Sequence, residues 1–164
     1  MFTAGKRPEP NFQTNATTRR LRLVTWMLVP LHIAIMLPGV LTATEDVPVH
    51  WDIDGTVTRY GAPWELLIVS GVFGALVVGL LLVSHRPQWF NYITVVTKTN
   101  AQEIYREGER LMVWMALVVA GMQGVVAWVF ALGLHEGIAF TVTMTLVLTL
   151  LVVVGIGIVR QVRL

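Results

Sequence analysis

Three side chains that commonly bind metal ions, His50, Asp52 and Asp54, stand two residues apart in one short segment of the chain. If that segment is an extended strand, the three side chains lie on the same face, because alternate residues of a strand share a face. Imidazole and carboxylate groups together suit zinc or manganese. The spacing therefore supports a metal site, or metal-dependent chemistry, as one hypothesis for this segment.

The segment around these residues has the pattern of a β-hairpin. Residues 47–53 and 56–60 are rich in residue types that favour strands, and Asp54 and Gly55 stand between the two runs. An Asp-Gly pair in this position is typical of a two-residue type I′ turn, which needs positive φ angles at both central residues. The sequence therefore predicts a short hairpin at 45–63 that presents the three candidate ligands.

A hairpin without a bound metal explains the same residues. In that arrangement Asp54 shapes the turn, Asp52 pairs with Arg59 across the ribbon, and His50 packs near Trp51. The sequence has no H-E-x-x-H motif, no cysteine and no second histidine four residues from His50. We therefore expect no cofactor and no catalytic residue, and keep His50, Asp52 and Asp54 only as metal candidates.

The composition of the chain indicates which secondary-structure elements hold this hairpin. Of its 164 residues 55% are hydrophobic and 13% are charged, against about 25% charged in soluble proteins. Four runs, 23–44, 66–84, 111–134 and 137–159, contain no Asp, Glu, Lys or Arg. Each run has close to the ~20 residues that a membrane-spanning helix needs. The sequence therefore predicts an all-α integral membrane protein with a four-helix bundle. It excludes a soluble enzyme domain, a disordered chain and a nucleic-acid-binding module.

The distribution of charge orients the predicted bundle. Eleven of the twelve basic residues fall in the two tails and in the loop between spans two and three, whereas the hairpin side holds only Arg59. By the positive-inside rule, both termini face the cytoplasm and the hairpin at 45–63 faces outward. We expect a flexible tail at 1–20 and a single membrane domain at 21–164, whose first span is retained as an anchor.

Small and polar residues inside the spans indicate how the helices pack. In a bilayer, small residues four positions apart let two helix backbones approach closely. We expect such stripes to join spans two and three, with an interface to another protein as the alternative. The stripes are Gly71, Ala75 and Gly79 in span two, and Ala116, Ala120 and Gly124 in span three. His32 and Gln123 are polar groups at depth, for which we expect hydrogen bonds within the bundle, with a functional role as the alternative.

Two motifs lie on either side of span two. The outer motif consists of Pro48, His50, Trp51, Asp52, Gly55, Tyr60 and Gly61. The inner motif consists of Pro87, Trp89, Asn91, Tyr92, Asn100, Tyr105 and Arg106. Together they resemble the motifs of the domain-of-unknown-function 1648 family, a group of bacterial multi-span membrane proteins. The resemblance covers residues 21–134 and implies a protein of the bacterial plasma membrane. Some relatives are immunity or signalling proteins against secreted peptide toxins, but those carry further spans.

The loop at 85–110 is expected to lie at the membrane surface. Trp89 and Tyr92 follow span two at the level of the lipid headgroups, where aromatic side chains prefer to lie. Asn100 and Glu103 have the spacing of a capping box, which predicts the start of an amphipathic cytoplasmic helix. The charged face of this helix is expected to be solvated, with docking of a partner as the alternative.

Three functions fit these features. The first is a non-enzymatic accessory or regulatory protein that contacts other membrane proteins, in a hetero-complex or a homo-oligomer. It is favoured because no span carries a charged residue in its interior and the sequence shows no catalytic constellation. The second is toxin immunity or envelope sensing, in which the hairpin receives a signal and the inner loop transmits it. The third is a metal-dependent enzyme centred on His50, Asp52 and Asp54.

Overall fold

Long apolar helices and one small sheet make up the structure, as the sequence predicts. The structure is a computed structural model and describes residues 7–52, 54–132 and 136–164. Its elements, in chain order, are α1 (Ala16–Thr42), β1 (Val47–Trp51), β2 (Val57–Gly61), α2 (Trp64–Val83), a 3₁₀ turn (Pro87–Trp89), α3 (Ala101–Leu132) and α4 (Glu136–Val162). A mostly helical fold with a two-stranded hairpin is thereby confirmed.

Each of these four helices is long and apolar enough to cross a membrane, which indicates a multi-pass membrane protein. α3 is the longest, at 32 residues. It spans about 48 Å, which exceeds the ~30 Å of the hydrocarbon layer. The amphipathic helix predicted to start in the inner loop and continue into span three is the beginning of α3.

α3 is the central helix of the bundle. It packs extensively against α1, α2 and α4, whereas α1 and α2 contact each other less. Near the basic end of the bundle, α2 and α3 bury an apolar cluster formed by Val77, Leu81, Val113, Ala116 and Ala120. In this contact α3 supplies Ala116 and Ala120 beside two valines, and α2 supplies Val77 and Leu81.

The face of α2 that packs on α3 differs from the predicted one. The buried residues of α2 are Leu66, Ser70, Gly74, Val77 and Leu81. The predicted stripe lies on another side of the helix, where Gly71 and Ala75 are exposed. A Cβ built on Gly71 or Gly79 meets no other part of the described structure within 4 Å. Because the groove on α3 is already lined by small residues, bulkier side chains fill it better than a second small face would.

The hairpin is attached to the other end of the bundle by a second apolar cluster. Met36, Leu66 and Ala127, from three different helices, are buried there, and Val47 and Val49 of β1 pack against them. Residues two apart in a strand share a face, so β1 turns one apolar face to the helices. The hairpin is therefore part of the packed structure.

α4 lies at the edge of the bundle and packs mainly against α3. No residue in its most apolar 18-residue window is buried. The hydroxyls of Thr141, Thr145 and Thr149 each donate to the carbonyl four residues earlier, at 2.7–2.8 Å. These hydroxyls are satisfied within α4 and do not join it to a neighbour.

The described part of the N-terminal tail follows the surface of α3, and the flexibility predicted for residues 1–20 stays a prediction. The Gln102 side chain receives a hydrogen bond from the Asn11 N–H at 2.6 Å and donates one to the Glu9 carbonyl at 2.9 Å. The Tyr105 hydroxyl donates to the Pro8 carbonyl at 3.0 Å. These contacts span more than 90 positions of sequence, which is why local composition does not reveal them.

Candidate functional site

The tip of the outer hairpin is a wider turn than the predicted type I′ turn. The Gly55 N–H donates to the Asp52 carbonyl at 3.0 Å, and Gly55 has a φ of +87°. No non-glycine residue in the described ranges has a positive φ, so Asp54 does not adopt the conformation that a type I′ turn requires. The Asp54 carboxylate instead accepts a hydrogen bond from the Thr56 N–H at 2.9 Å. Gly55 supplies a left-handed residue, as in a three-residue loop.

The three metal candidates do not form a ligand set. β1 ends at Trp51, so Asp52 and Asp54 lie in the turn and not on the strand, and the pairing shifts register on both sides of His50. The Nδ1 of His50 is 2.6 Å from the Thr58 hydroxyl. The Thr56 N–H lowers the pKa of Asp54. Over the described residues, no group of three or more His, Asp or Glu side chains can hold a metal ion.

Arg59 pairs with Glu65 and not with Asp52, the partner predicted across the ribbon. Its guanidinium lies 2.8 Å from the Glu65 carboxylate, which raises the pKa of Arg59. The same carboxylate accepts a hydrogen bond from the Ala62 N–H at 3.1 Å. A Cβ on Gly61 would overlap this carboxylate, so any larger residue here would displace the end of the Glu65 side chain. The contact fixes the end of β2 to the first turn of α2.

Replacing Gly61 by alanine is expected to lower the free energy of unfolding by about 1 kcal/mol, because the Glu65 carboxylate must give up one of its hydrogen bonds. Gly79→Ala is the matched control, since a Cβ at Gly79 meets nothing within 4 Å. It is expected to leave the stability unchanged or raised. Thermal unfolding in detergent, followed by circular dichroism, measures both. Equal effects of the two variants would contradict the proposed contact.

The remaining residues of the outer motif have separate environments. Pro48 pairs with Tyr60 across the ribbon, and the Tyr60 side chain is 59% exposed. Trp51 is half-buried, and its indole N–H is buried without an acceptor among the described residues. Gly61 is buried beneath the Glu65 carboxylate. The motif therefore combines structural residues with one exposed aromatic side chain.

A layer of polar side chains joins three helices in the middle of the bundle. The Gln123 amide of α3 donates to the carbonyl and to the hydroxyl of Ser70 on α2, at 3.2 and 3.1 Å. His32 of α1 is buried beside Gln123. The Nδ1 of His32 and the Oε1 of Gln123 have no hydrogen-bond partner among the described residues. Gln123 thus links α3 to α2 through hydrogen bonds, and His32 of α1 packs beside it.

Two glycines make room for this polar layer. A Cβ on Gly124 would lie 2.9 Å from Cε1 and Nε2 of the His32 ring. A Cβ on Gly74 would lie 3.3 Å from the Gln123 amide nitrogen and 3.2 Å from Val29. The sequence predicts Gly124 as a helix-packing residue, and the structure shows that its partner is a buried imidazole. Gly124 therefore sets the distance between α1 and α3.

Aromatic residues of the inner motif form a small core at the basic end. Tyr105 is fully buried, and its ring centroid lies 6.0 Å from that of Tyr92. The Tyr92 hydroxyl donates to the Pro87 carbonyl at 2.8 Å, and burial raises the pKa of this hydroxyl. A Cβ on Gly108 would lie 2.5 Å from the Tyr92 hydroxyl, so this glycine lets the loop rest on α3.

Exposed residues of the inner motif remain available for contacts outside the chain. Trp89 is 69% exposed, and the guanidinium of Arg86 lies 5.6 Å from the centre of its ring. Asn91 and Arg106 are also exposed. The surface role predicted for Trp89 stays a prediction, whereas Tyr92 belongs to the interior of the cluster.

A reciprocal pair of hydrogen bonds joins Thr97 and Asn100 in the turn just before α3. The Thr97 N–H donates to the side chain of Asn100 at 2.8 Å, and the Asn100 N–H donates to the Thr97 hydroxyl at 3.3 Å. This reciprocal pair is the capping-box pattern, with Thr97 in the first position. Asn100 therefore acts as the last residue of the box and not as its first. The prediction that pairs Asn100 with Glu103 is corrected accordingly.

A buried ion pair between α1 and α3 was not identified from the sequence. Arg22 lies 2.5 Å from Glu109, and their side chains are only 12% and 4% exposed. The Thr14 hydroxyl also donates to this carboxylate, at 2.7 Å. Partial burial and the nearby Arg22 lower the pKa of His85. The partners are 87 positions apart, so only the charge of each residue, and not their pairing, is visible in the sequence.

The fold and these contacts define a class, namely a multi-pass helical membrane protein with a two-stranded hairpin packed on its helices. No protein-family model, curated protein or solved structure matches the chain at a significant level. The resemblance to the domain-of-unknown-function 1648 family stays a prediction carried by the two motifs.

Proposed function

We propose that this chain is a non-enzymatic accessory or regulatory membrane protein that binds a partner membrane protein through the outward face of α2. The observation that carries the proposal is the position of Gly71, Ala75 and Gly79 on a side of α2 that its own bundle does not use. In lipid, a stripe of small residues allows a second helix to approach closely and gain packing contacts. A partner helix would use a stripe that the bundle leaves open.

The partner is a transmembrane helix of another protein or of a second copy of the chain. The stripe carries no charge, so recognition depends on shape and van der Waals contact and not on ion pairs. In keeping with the distribution of basic residues, we also propose that both termini face the cytoplasm of a bacterial cell. Labelling of terminal tags with an impermeant reagent on intact cells would contradict this orientation.

Substituting Gly71 and Gly79 with leucine is expected to reduce co-purification of the partner in mild detergent by about tenfold, because the added side chains hold the helices apart. Gly155→Leu on α4 is the matched control, since it also adds leucine where nothing lies within 4 Å. Thermal unfolding of each purified variant checks that the bundle is intact. Cross-linking distinguishes a second copy of the chain from a different protein.

An unchanged partner yield in the Gly71 and Gly79 variants would contradict the proposal. If Gly155→Leu lowers the yield of co-purified partner as much as the α2 variants do, the interface does not lie on α2 alone, which would also contradict the proposal. A Cβ on any of these glycines meets no other part of the described structure within 4 Å, and the thermal unfolding of each variant shows whether the larger leucine side chain is tolerated.

Envelope sensing is a second candidate function, favoured by the attachment of the hairpin to the helices. Val47 and Val49 pack against the outer ends of α1, α2 and α3. At the tip, a Cβ on Gly55 would lie 3.3 Å from Phe140 of α4. A ligand on the hairpin would therefore act directly on all four helices. Deleting the gene and exposing cells to secreted peptides tests this function, and unchanged sensitivity would contradict it.

A further inference from the structure

A cavity at the basic end of the bundle has an apolar wall. Its volume is about 480 Å³, and it lies between the first turn of α1, α3 and the C-terminal half of α4. The wall nearer to the middle of the helices is lined by Leu111, Trp114, Val153 and Ile156. Such a surface suits a hydrocarbon chain better than a water-filled space, because contact with water is unfavourable for apolar side chains.

The rim of the same cavity carries an excess of positive charge. Arg110 of α3 and Arg160 of α4 both line it, together with Glu107. Glu107 forms an ion pair with Arg110 and lies 4.0 Å from Arg160. Two guanidinium groups against one carboxylate leave a net positive charge. α1 begins at this rim, and the positive end of its helix dipole adds to that charge.

We propose that this cavity binds one anionic phospholipid, with the phosphate at the arginine rim and an acyl chain along the apolar wall. The assignment depends on both the apolar wall and the positive rim. A soluble anion would leave the apolar wall in contact with water, and a zwitterionic lipid would bring a cation with its phosphate and leave the net positive charge of the rim uncompensated. Basic pockets between membrane helices suit anionic headgroups, and guanidinium groups match the geometry of a phosphate.

Arg160 is the residue best placed to hold the headgroup. Its side chain is 52% exposed, and its distance of 4.0 Å from Glu107 leaves its donors free for a phosphate. Arg110, by contrast, is engaged by Glu107 and is only 27% exposed. The site is formed by α1, α3 and α4, so it is separate from the α2 face proposed to bind a partner. The lipid site goes beyond that proposal and stands independently of it.

Native mass spectrometry of the full chain in detergent tests the site, with a phosphatidylglycerol and a phosphatidylcholine of identical acyl chains as probes. The chain is expected to retain phosphatidylglycerol in preference to phosphatidylcholine. Arg160→Gln should reduce the bound phosphatidylglycerol about fivefold, the effect of one basic residue beside an anionic headgroup. Arg163→Gln is the matched control, because it removes the same charge three residues further on and does not line the cavity.

A second variant distinguishes a lipid site from general loss of structure. Glu107→Gln removes the competing carboxylate and is expected to increase the bound phosphatidylglycerol. Equal retention of the two lipids would overturn the proposal, as would equal losses in Arg160→Gln and Arg163→Gln or a loss in Glu107→Gln. Displacement of the lipid by inorganic phosphate alone would show that the rim binds a soluble anion, which also overturns it.

Discussion

Replacing Glu109 by alanine is expected to lower the free energy of unfolding by about 3–5 kcal/mol, because the variant leaves Arg22 charged and nearly buried without its carboxylate. The Nε of Arg22 is already buried without a partner among the described residues, so the guanidinium depends on Glu109. The Thr14 hydroxyl would lose its acceptor at the same time. This loss should exceed that of any other substitution proposed for the bundle.

A double substitution separates the charge effect from loss of packing. Arg22→Met combined with Glu109→Leu removes both charges and keeps the volume apolar, so it should recover most of the lost stability. Glu103→Ala is the matched control, because it also removes one carboxylate from α3 but at an exposed position in the first turn of the helix. It is expected to change the stability by less than about 0.5 kcal/mol.

Unfolding in detergent with increasing sodium dodecyl sulfate, followed by tryptophan fluorescence, measures these free energies on the full chain. If the double variant is no more stable than Glu109→Ala, the charge of Arg22 is not the cause of the loss. If Glu103→Ala is as damaging as Glu109→Ala, burial of the ion pair is not the cause either.

Replacing Gly124 by alanine should have the second largest effect, a loss of about 1–3 kcal/mol, as is common when a methyl group is forced into a filled core. The new Cβ would stand 2.9 Å from two atoms of the His32 ring, which is buried and cannot move aside as a flexible side chain can. α1 and α3 must then separate, and their contact is the most extensive between any two helices described.

A double-mutant cycle tests whether His32 is the group that Gly124 accommodates. In the His32→Ala background, Gly124→Ala should be much less damaging, with a coupling of about 0.5–3 kcal/mol between the two positions. Gly121→Ala is the matched control one turn away, because its Cβ would meet only the flexible end of Leu146 at 3.3 Å. Additive effects at Gly124 and His32 would contradict direct contact between them.

Both predictions concern contacts that the sequence indicates only in part. The small stripe on α3 is visible because a period of four is a local property, and Gly124 belongs to it. That its neighbour is His32 depends on the rotation of α1 about its own axis. The rotation of α2 about its own axis is likewise not fixed by the sequence, because α2 has both a stripe of small residues and a face of larger apolar residues that could pack on α3.

In the hairpin turn and at the start of α3, the local sequence predicts where the turn or helix start lies better than it predicts the hydrogen bonds formed there. Asp54 and Gly55 are recognisable as a turn, but hydrogen bonds from Gly55 to Asp52 and from Thr56 to Asp54 select a wider loop. At the start of α3, two overlapping capping boxes are available. The one at Thr97 forms because Asn100 turns its side chain back to the Thr97 N–H.

The sequence by itself determined the apolar helices, their order, the hairpin between the first two and the concentration of basic residues away from that hairpin. These are properties of composition and short-range periodicity, and the requirement for about 20 apolar residues per span leaves few alternatives. The tertiary structure alone decided which helix faces meet, which charges become a buried pair and where a cavity opens beside Arg160. Those outcomes depend on the rotation and spacing of helices that are far apart in sequence, where many arrangements bury similar apolar area and only close packing selects one.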